Sequence, residues 1–471
     1  MNKDRNILFF GSALCAAVVG ALLLTRLRSY PPHEDEVLAL FVGRDSLGGV
    51  LDTVLTERGG APLHYLLAWG VVQLGGGLDA LRLVSLACAV ATIPLIALLA
   101  ARLVDARRAL AATVLASASW VFLFHAVFGR MYAVFLLAAT GSFLALLSRR
   151  WAWWTLATLA ALAAHPYGAL MLAAQIAYMV ISRTRAAVPW VAVVLAAALP
   201  LWYADLVLAG RYDGEGEGPK SAGGYLRELA GDLTSGYVLA LIFLTVLAVV
   251  GFTRVRNRAL VACVFGAALV ALVLAQVRDA SPESRHLIFL LPFAAVLLAA
   301  GLPRRTAIAA PLLVVLVALE VAWAWHRTPA LFEGESRADV RARDDAGRWL
   351  AATSRPDDVL HGYNPVFLAA WELNRSFPRR VVPRADARLA LDALETAPPG
   401  RGVWVVEGKE TADGLDSRTF GGLTVLRSRT ATGSTARYLD QAERVLSGID
   451  LQTVHDAQRR YERSSRSTAS R

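Results

Sequence analysis

The chain has 471 residues, of which 56% are hydrophobic and only 18% are charged, and its mean hydropathy is +0.47. Soluble globular proteins carry about 25% charged residues and about 45–50% apolar ones, so this composition excludes a chain that is soluble along its whole length. The formal net charge of +10 comes largely from arginine. These arginines flank apolar blocks, where they set membrane orientation, so the charge does not indicate a nucleic-acid partner.

The first apolar run, 7–25, follows a charged start in the way that a signal peptide does. It lacks an Ala-x-Ala cleavage site, and the sequence therefore predicts an uncleaved first membrane helix. About 20 apolar residues span a bilayer as a helix, and by this measure the chain holds eleven predicted spans in all. They are 7–25, 82–101, 109–128, 131–148, 152–165, 167–182, 187–208, 236–253, 259–277, 286–302 and 306–325.

The segment 61–74 is apolar but short, contains His64, and is followed by three glycines. Its placement decides the topology, because lysine and arginine near span ends favour the cytoplasmic side. Every later basic cluster falls on the same side as Lys3 and Arg5 only if 61–74 does not cross the membrane. We therefore expect 61–74 to be a helix in or near the interface, within a long first outer loop, 26–81. The N-terminus is then cytoplasmic and the C-terminus extracytoplasmic.

From about His326 onwards the composition is that of a soluble α/β domain. The sequence predicts an amphipathic helix at "RADVRARDDAGRWLAAT", a turn at Pro356 and a short strand, a helix at "NPVFLAAWEL", strands at "GRGVWVVEG" and "GLTVLRSR", and a terminal helix. It contains no dinucleotide-binding or phosphate-loop motif. The predicted fold class is an α-helical polytopic membrane protein with a C-terminal soluble α/β domain. The expected domains are a membrane domain, 1–325, an extracytoplasmic α/β domain, 326–461, and a disordered tail, 462–471.

Polar residues are grouped where the predicted spans meet the outer surface. In chain order the groups are Asp35 and Glu36; His64 and Tyr65; Arg82; His125, Arg130 and Tyr132; His165 and Tyr167; and Arg278, Asp279, Glu283, Arg285 and His286. Carboxylates near a bilayer are costly unless they serve a function. A carboxylate with arginine and histidine predicts a general base beside cations that hold a phosphate. Nucleotide-activated donors stay in the cytoplasm, so an outward-facing enzyme of this kind would use a lipid-phosphate donor.

Each group also has a purely structural interpretation. The acidic pair after the first span could be solvated loop residues, and Arg130 could reach towards lipid head groups. His165 could hydrogen-bond a carbonyl at a helix end. Arg285 and His286 could be interfacial anchors.

The acidic pair in the outer loop after the first span resembles the signature of GT-C membrane glycosyltransferases. The resemblance is to glycosyltransferase family 39-like enzymes of the protein-O-mannosyltransferase and aminoarabinose-transferase type, and it covers roughly residues 1–330. The other stretches that carry it, in the order in which the family has them, are "GGAPLHYLL" (59–67), "LRLVSLACAVATIPLIALLAARLVDARRALAATVLA" (81–116), "GRMYAVFLL" (129–137), "HPYGALML" (165–172) and "SRHLIFLLP" (284–292).

This resemblance implies an inverting glycosyltransferase that moves a sugar from a polyprenyl-phosphate carrier to a protein, lipid or glycan acceptor outside the cytoplasm. Asp35 would accept the proton of the acceptor hydroxyl, and Glu36 would orient Asp35 or the acceptor. Substrate binding would fall to His64, Tyr65, Arg82, Arg130, Tyr132, His165, Arg285 and His286. The bias towards Ala, Arg, Val and Gly indicates a GC-rich bacterium. Together with the predicted spans, it leads us to expect a multi-pass protein of the plasma membrane, surrounded by membrane lipids.

Three departures from the family pattern leave the substrate open. Ala61-Pro62 stands where two prolines are usual, His64 stands where the family often has tyrosine, and Met131 replaces the common proline after Arg130. Members of the family differ in their use of a divalent cation, and the sequence shows no cage of oxygen ligands beyond the acidic run. We therefore assign no metal ligands and leave a divalent cation open. The Gly-rich segment 209–235 is expected to be a flexible outer loop that closes over the lipid head group.

The alternative is a non-enzyme, namely a transporter or flippase of lipid-linked sugars with similar basic outer pockets. Transporters commonly have inverted repeats and polar residues at the membrane midplane. This chain shows no repeat, and its polar residues lie at span ends. A third hypothesis, a ligase or polymerase of whole glycans, matches less well because such enzymes usually carry their key loop late in the chain.

Overall fold

A computed structural model of the chain describes residues 3–58, 61–209, 221–277, 283–382, 400–409 and 415–429. The chain divides into two compact units. The helical unit comprises Met1–Pro31 and Val42–Gly334, and the sheet unit comprises Pro32–Phe41 and Glu335–Arg471. The sequence analysis placed Pro32–Phe41 in the first outer loop of the membrane domain. By its contacts this segment belongs with the C-terminal residues.

Helices dominate the described residues and follow the apolar runs of the sequence. In chain order they are α1 (Lys3–Leu24), α2 (Glu34–Val42), α3 (Leu47–Thr53), α4 (Pro62–Gln73), α5 (Leu78–Leu103), α6 (Ala106–Ala118), α7 (Trp120–Val127), α8 (Tyr132–Leu147), α9 (Trp151–Ala164), α10 (Gly168–Ile181), α11 (Val188–Ala209), α12 (Ala222–Leu233), α13 (Val238–Arg254), α14 (Arg258–Val277), α15 (Leu291–Gly301), α16 (Thr306–Arg327), α17 (Ala330–Glu333), α18 (Arg337–Thr353) and α19 (Pro365–Leu373). Three short segments complete the set: a π-helix, Val54–Arg58, and two 3₁₀ helices, Arg185–Ala187 and Ser284–Leu290.

Each of the eleven predicted spans coincides with a helix or with a pair of consecutive helices. Within the described residues, five helices are long and apolar enough to cross a membrane, or up to seven if each bent pair is one span. The helices α8, α9 and α10 have only 16, 14 and 14 residues. A 14-residue helix rises about 21 Å, against about 30 Å of hydrocarbon. The polytopic helical fold is therefore confirmed, and the count of eleven spans stays a prediction.

Two bends interrupt the apolar runs. The run predicted as one span at 109–128 breaks between α6 and α7, whose axes differ by 58°. Ser119 causes this break, because its extended backbone ends α6 while its hydroxyl accepts a hydrogen bond from the Phe122 N–H at 3.4 Å and caps α7. The second bend, of 79°, separates α12 from α13. The prediction of a flexible loop over 209–235 was thus wrong for 222–233, which form α12, and residues 210–220 lie outside the described part of the chain.

The helices α13 and α15 approach one another closely because each carries a glycine at the contact. A Cβ atom at Gly251 would lie 1.9 Å from the carbonyl oxygen of Leu297, and one at Gly301 would lie 2.2 Å from that of Leu247. Small residues at helix crossings are the usual device for close packing between membrane helices. The two glycines therefore fix the spacing of this helix pair.

The same helix pair is also joined by an arginine. From the last turn of α13, Arg254 donates through Nη1 to the carbonyl oxygens of Ala300, Gly301 and Leu302, at 3.1, 3.0 and 3.0 Å. The last carbonyls of a helix have no partner within the helix, and a cation there also interacts favourably with the helix dipole. Arg254 therefore satisfies the C-terminal end of α15.

A second arginine holds the chain where it leaves α1. From the second turn of α5, Arg82 donates through Nη1 to the carbonyl oxygens of Leu27 (3.0 Å) and Tyr30 (2.8 Å), and through Nη2 to that of Pro31 (3.1 Å). Arg82 is only 1% exposed. A guanidinium group carries five N–H donors in a rigid fork, so one side chain can hold three carbonyl groups of a turn. Pro31 immediately precedes the segment that bears the acidic residues.

The described residues of the sheet unit form one five-stranded sheet. Its strands are β1 (Val359–His361), β2 (Val381–Val382), β3 (Gly402–Glu407), β4 (Leu415–Phe420) and β5 (Leu423–Ser428). The strand order is β2-β1-β3-β5-β4, in which β1 runs parallel to β2 and β3, while β5 runs antiparallel to β3 and β4. The helix α18 packs against α19 and against the strands β4 and β5. The predicted α/β character of the C-terminal residues is confirmed.

The helix α2 belongs to this unit through an aromatic contact. Its residue Phe41 lies with its ring centroid 6.3 Å from that of Tyr363 and 5.9 Å from that of Trp371 on α19, both in edge-on arrangements. Val37 and Leu40 on the same helix are fully buried. Edge-on aromatic pairs add about 0.5–1.5 kcal/mol to the burial of their surface. This contact ties the start of the chain to residues more than 300 positions later.

We predict that Gly251→Ala lowers the thermal unfolding temperature of the detergent-solubilised protein, on the order of 5 °C, because the new methyl group meets a backbone carbonyl that cannot move aside. Gly266→Ala in α14 is the matched control, since nothing lies within 4 Å of a Cβ atom there. Both changes raise helix propensity equally, so equal unfolding temperatures would contradict the packing described for α13 and α15.

We predict that Arg82→Ala destabilises the protein by on the order of 3 kcal/mol, because buried carbonyl groups lose their donor. Arg82→Lys should recover part of this loss, since an ammonium group cannot reach three carbonyls with the same fork. The control is Arg102→Ala, at the exposed far end of the same helix. Thermal unfolding in detergent measures all three variants, and wild-type stability of Arg82→Ala would show that Arg82 is not a structural clamp.

Candidate active site

Tyr132 lies among imidazole and guanidinium groups from several helix ends. Its ring centroid is 4.4 Å from that of His125, 5.5 Å from that of His165 and 6.3 Å from that of His286. The Cζ atom of Arg285 lies 5.5 Å from the same centroid, at cation–π distance. These five residues form what we call the Tyr132 cluster, and four of them were expected from the sequence as substrate-binding residues.

Breaks between helices bring these side chains together. His125 lies in the last turn of α7, Tyr132 is the first residue of α8, and His165 ends α9. Arg285 and His286 lie in the 3₁₀ helix Ser284–Leu290, which precedes α15. Helix ends leave backbone groups and side chains that the regular helix does not use. The cluster is therefore built at the positions where a helical membrane protein can most easily present polar groups.

Two further residues border the cluster. Tyr167 lies 5.5 Å from His165 and 4.9 Å from His286, measured between ring centroids. Arg130 has its backbone held from both sides, because its N–H donates to the Phe128 carbonyl at 2.7 Å and its own carbonyl accepts from the Ser85 hydroxyl at 3.4 Å. Arg130 and Arg285 both lie close enough to act electrostatically on His125 and His165. The described neighbourhood therefore has two guanidinium groups beside uncharged hydrogen-bonding rings.

The histidines His165 and His286 share one arrangement. The Nδ1 atom of His165 accepts the Tyr167 N–H at 3.1 Å, and the Nδ1 atom of His286 accepts the Glu283 N–H at 3.2 Å. An imidazole nitrogen that accepts a hydrogen bond carries no proton, so in the neutral ring the proton is on Nε2. Both rings are therefore oriented as Nε2–H donors, a group that suits a phosphate or hydroxyl oxygen.

His125 is held differently. It is 1% exposed, and neither of its ring nitrogens has a hydrogen-bond partner among the described residues. The ring instead packs against Phe124, with centroids 5.0 Å apart, and against Tyr132. A buried polar atom without a partner costs about 1–3 kcal/mol, which makes this ring a candidate hydrogen-bonding group for a substrate.

Arg285 makes an ion pair with Glu283, two residues earlier in the chain. The side chain is about one quarter exposed, and its Nε–H is buried without a hydrogen-bond partner among the described residues. A guanidinium group with a remaining donor can add a second acceptor, and bidentate binding of phosphate is its preferred mode. The expected role of Arg285 in phosphate binding is compatible with this geometry.

The acidic residues lie in the sheet unit, in a helix and not in a loop as the sequence analysis expected. Glu34, Asp35 and Glu36 form the first turn of α2. Glu36 is fully buried, and its Oε2 accepts the His33 N–H at 3.1 Å. This is the arrangement of a capping box, in which the third residue of a helix accepts from the N-cap. Glu36 therefore determines where α2 begins.

Asp35 is oriented by the same capping residue. Its N–H donates to His33 Nδ1 at 3.2 Å, and its Oδ2 lies 3.7 Å from that atom. Because Nδ1 accepts the backbone N–H, it has no proton to offer Oδ2 in the neutral ring. The Asp35 side chain is about one third exposed. The Asp35 carboxylate is therefore accessible from outside the protein, while its backbone is held at the start of a helix.

The remaining sequence candidates have other environments. Arg82 was expected to bind substrate, but its buried guanidinium hydrogen-bonds three backbone carbonyls after α1, which favours a structural role over phosphate binding. His64 and Tyr65 lie on α4, are 3% and 8% exposed, and face one another with ring centroids 5.6 Å apart. Arg278 and Asp279 lie outside the described residues. Within the described residues no group of three or more His, Cys, Asp or Glu side chains is arranged to hold a metal ion, and the sequence left this point open.

Sequence reasoning missed two residues close to the cluster. Tyr225 on α12 is 2% exposed and lies within electrostatic range of Tyr167. Asp232, on the same helix, is fully buried and accepts a hydrogen bond from Ser284. Both occur in the stretch interpreted as a flexible loop, where polar residues are ordinary. The available signal of a helix was the spacing of apolar residues in "YLRELAGDL" (225–233), where Tyr225, Leu229 and Leu233 recur every four positions.

Comparison with known proteins supports the fold but does not identify a specific activity or substrate. No protein-family model and no curated protein matches the chain. Among solved structures, ArnT from Cupriavidus metallidurans bound to undecaprenyl phosphate is similar at a TM-score of 0.59 and 14% identity, covering 88% of this chain and 97% of that chain. The apo state of the same protein is similar at a TM-score of 0.55 and 13% identity, with the same coverage. The chain therefore shares the GT-C fold of ArnT, as the sequence resemblance implies.

Proposed function

We propose that the chain is a membrane glycosyltransferase that moves a sugar from a polyprenyl-phosphate carrier to an acceptor outside the cytoplasm. The observation that carries the proposal is the Tyr132 cluster, where Arg285 lies with the Nε2–H donors of His165 and His286. The fold is shared with an ArnT structure that binds undecaprenyl phosphate. A flippase would have no need of a general base, whereas this chain carries a partly exposed carboxylate at a capped helix start.

The cluster suits the leaving group of such a reaction. When the bond between the anomeric carbon and the phosphate oxygen breaks, its electron pair stays on the lipid phosphate, which gains negative charge. Arg285 and Arg130, with the imidazole N–H donors, would stabilise that charge. Donors fixed in advance at developing charge are often the largest catalytic contribution, and loss of one typically costs about 10²- to 10³-fold in rate.

In this proposal the acidic residues act on the acceptor, whose hydroxyl must lose a proton. Asp35 accepts the proton of the acceptor hydroxyl while the acceptor oxygen forms its bond to the anomeric carbon. The attack and the departure occur on opposite faces of the carbon, so the configuration is inverted in a single displacement. Glu36 is a positioning residue, because its buried carboxylate caps α2 and so fixes the backbone of Asp35. The sugar and the acceptor stay open.

We predict that Asp35→Asn lowers sugar transfer by about 10²- to 10⁴-fold, because an amide keeps the size of the side chain but cannot accept a proton. Glu34→Gln, one residue earlier in the same helical turn, is the matched control and should transfer at nearly the wild-type rate. Glu36→Gln should be intermediate, since glutamine can still accept the His33 N–H. The measurement is product formed from a labelled polyprenyl-phosphate sugar, with the thermal unfolding temperature of each purified variant recorded alongside.

Two outcomes of this series would be decisive against the assignment. An active Asp35→Asn with an inactive Glu34→Gln would move the base to the neighbouring position. Wild-type transfer by all three variants would mean that none of these acids is a base.

The wild-type protein itself distinguishes the two candidate functions. Absence of transfer by the wild-type protein, with retained binding of the lipid carrier, would favour the flippase over the enzyme.

For the topology we propose a cytoplasmic N-terminus and an extracytoplasmic C-terminal unit, on the basis of the basic residues at span ends. Alkaline phosphatase fused after Arg327 should then be active, because this reporter needs the disulfide bonds that form outside the cytoplasm. The same reporter fused after Arg150 should be inactive. A reversed result at either position would rule out the arrangement with eleven spans.

A further inference from the structure

A short hydrogen bond joins α12 to the 3₁₀ helix that carries Arg285 and His286. The Ser284 hydroxyl donates to Oδ2 of Asp232 at 2.6 Å, and Asp232 and Ser284 are 0% and 3% exposed. Hydrogen bonds to an ionised group are about twice as strong as neutral ones. Ser284 directly precedes Arg285 in the chain, so this bond holds the backbone next to the guanidinium group.

The other oxygen of Asp232 makes no hydrogen bond among the described residues but lies at ion-pair distance from an arginine. Oδ1 lies 3.4 Å from Nε of Arg327, at the end of α16, and Nη2 of Arg327 donates to Oε1 of Glu228 at 3.0 Å. The Cζ atom of Arg327 also lies 5.2 Å from the ring centroid of Trp120. A buried carboxylate is costly unless it is paired, and Arg327 provides the pairing charge. Asp232 therefore lies between a cation that stabilises it and a hydroxyl that it orients.

The 3₁₀ helix is held a second time just beside this bond. Glu283 and His286 form a capping box, in which the Glu283 side chain accepts the His286 N–H and His286 Nδ1 accepts the Glu283 N–H at 3.2 Å. Arg285 is thus flanked by Ser284, which is bound to α12, and by His286, which is held within the turn. The capping box closes the turn on itself, whereas the bond from Asp232 ties it to another helix.

From this geometry we propose that Asp232 is a positioning residue for the donor phosphate. Through the Ser284 hydroxyl it fixes the turn that presents Arg285 and the His286 Nε2–H, and it thereby sets the affinity for the lipid phosphate. This inference rests on the proposed function. Asp232 touches no reacting atom and acts through Ser284.

The test is a double-mutant cycle of Asp232→Ala and Ser284→Ala, measured as the affinity of the purified protein for undecaprenyl phosphate without a sugar. Each single change should weaken binding about tenfold, because both remove the same charged hydrogen bond. The double variant should bind no more weakly than the weaker single variant, since two residues that act as one unit are not additive. Arg285→Ala provides the reference for loss of the guanidinium group itself.

Two further variants separate positioning from general stability. Ser284→Thr keeps the hydroxyl donor and should bind within about twofold of wild type. Glu228→Gln is the matched control, because Glu228 lies one turn earlier on α12 and also contacts Arg327, and it should leave the affinity unchanged. Should Asp232→Ala fail to fold, the comparison of Ser284→Ala with Ser284→Thr at equal unfolding temperature decides the question.

The outcomes distinguish this inference from the proposed function. If the wild-type protein does not bind undecaprenyl phosphate, the proposed function itself is wrong. If Arg285→Ala binds as well as wild type, the phosphate site is misplaced and the positioning role of Asp232 is overturned with it. If Arg285→Ala weakens binding while Ser284→Ala binds as wild type does, only the positioning role of Asp232 is overturned. Additive losses in the double variant would likewise show that Asp232 and Ser284 act separately.

Discussion

The constraint on which this structure depends is that a polar group removed from water is costly unless it meets a partner. In the helical unit Arg82 donates to three carbonyls after α1, and Arg254 donates to three carbonyls at the end of α15. The Asp232 carboxylate meets both Ser284 and Arg327. The buried Arg82 and Asp232 side chains would each cost several kcal/mol without these partners, and Arg254, whose own side chain is exposed, donates to carbonyl groups of buried residues. Charged residues consequently join helix ends to one another and so define the packing of the unit.

The same constraint explains where a site can form. Within a regular membrane helix the backbone satisfies itself, so hydrogen-bonding capacity is left over mainly at ends and bends. The Tyr132 cluster draws on such positions, at the end of α7, the start of α8 and the junction of α9 with α10. Because Tyr167 and Glu283 each provide a backbone N–H to a histidine Nδ1, the turns that interrupt the helices also select the tautomer that faces the cluster.

Hydropathy and residue pattern predicted much of this fold, and they failed for identifiable reasons. The apolar runs all became helical, and β1, β3 and β5 were predicted from their branched and apolar residues. The strand β4 was missed because its exposed residues are polar, as is usual at a sheet edge, and β2 is only two residues long. The bend at Ser119 depends on a single hydroxyl that caps α7 within an apolar run. Pairings such as that of Asp232 with Ser284 join positions 52 residues apart, and no local pattern encodes them. The predicted terminal helix and tail lie outside the described residues.

The contact of Phe41 with Tyr363 and Trp371 bears on the order in which the protein can be assembled. The acid-bearing helix α2 is synthesised soon after the first apolar run, yet the aromatic residues against which it packs are among the later parts of the chain. Domains generally fold as units once their chain is complete, so α2 cannot reach its final packing before the C-terminal residues have been made. The C-terminal residues of the sheet unit are therefore needed for the final packing of α2. A protein cut after Gly334 would retain Asp35 and Glu36 but would lack the surface on which their helix rests.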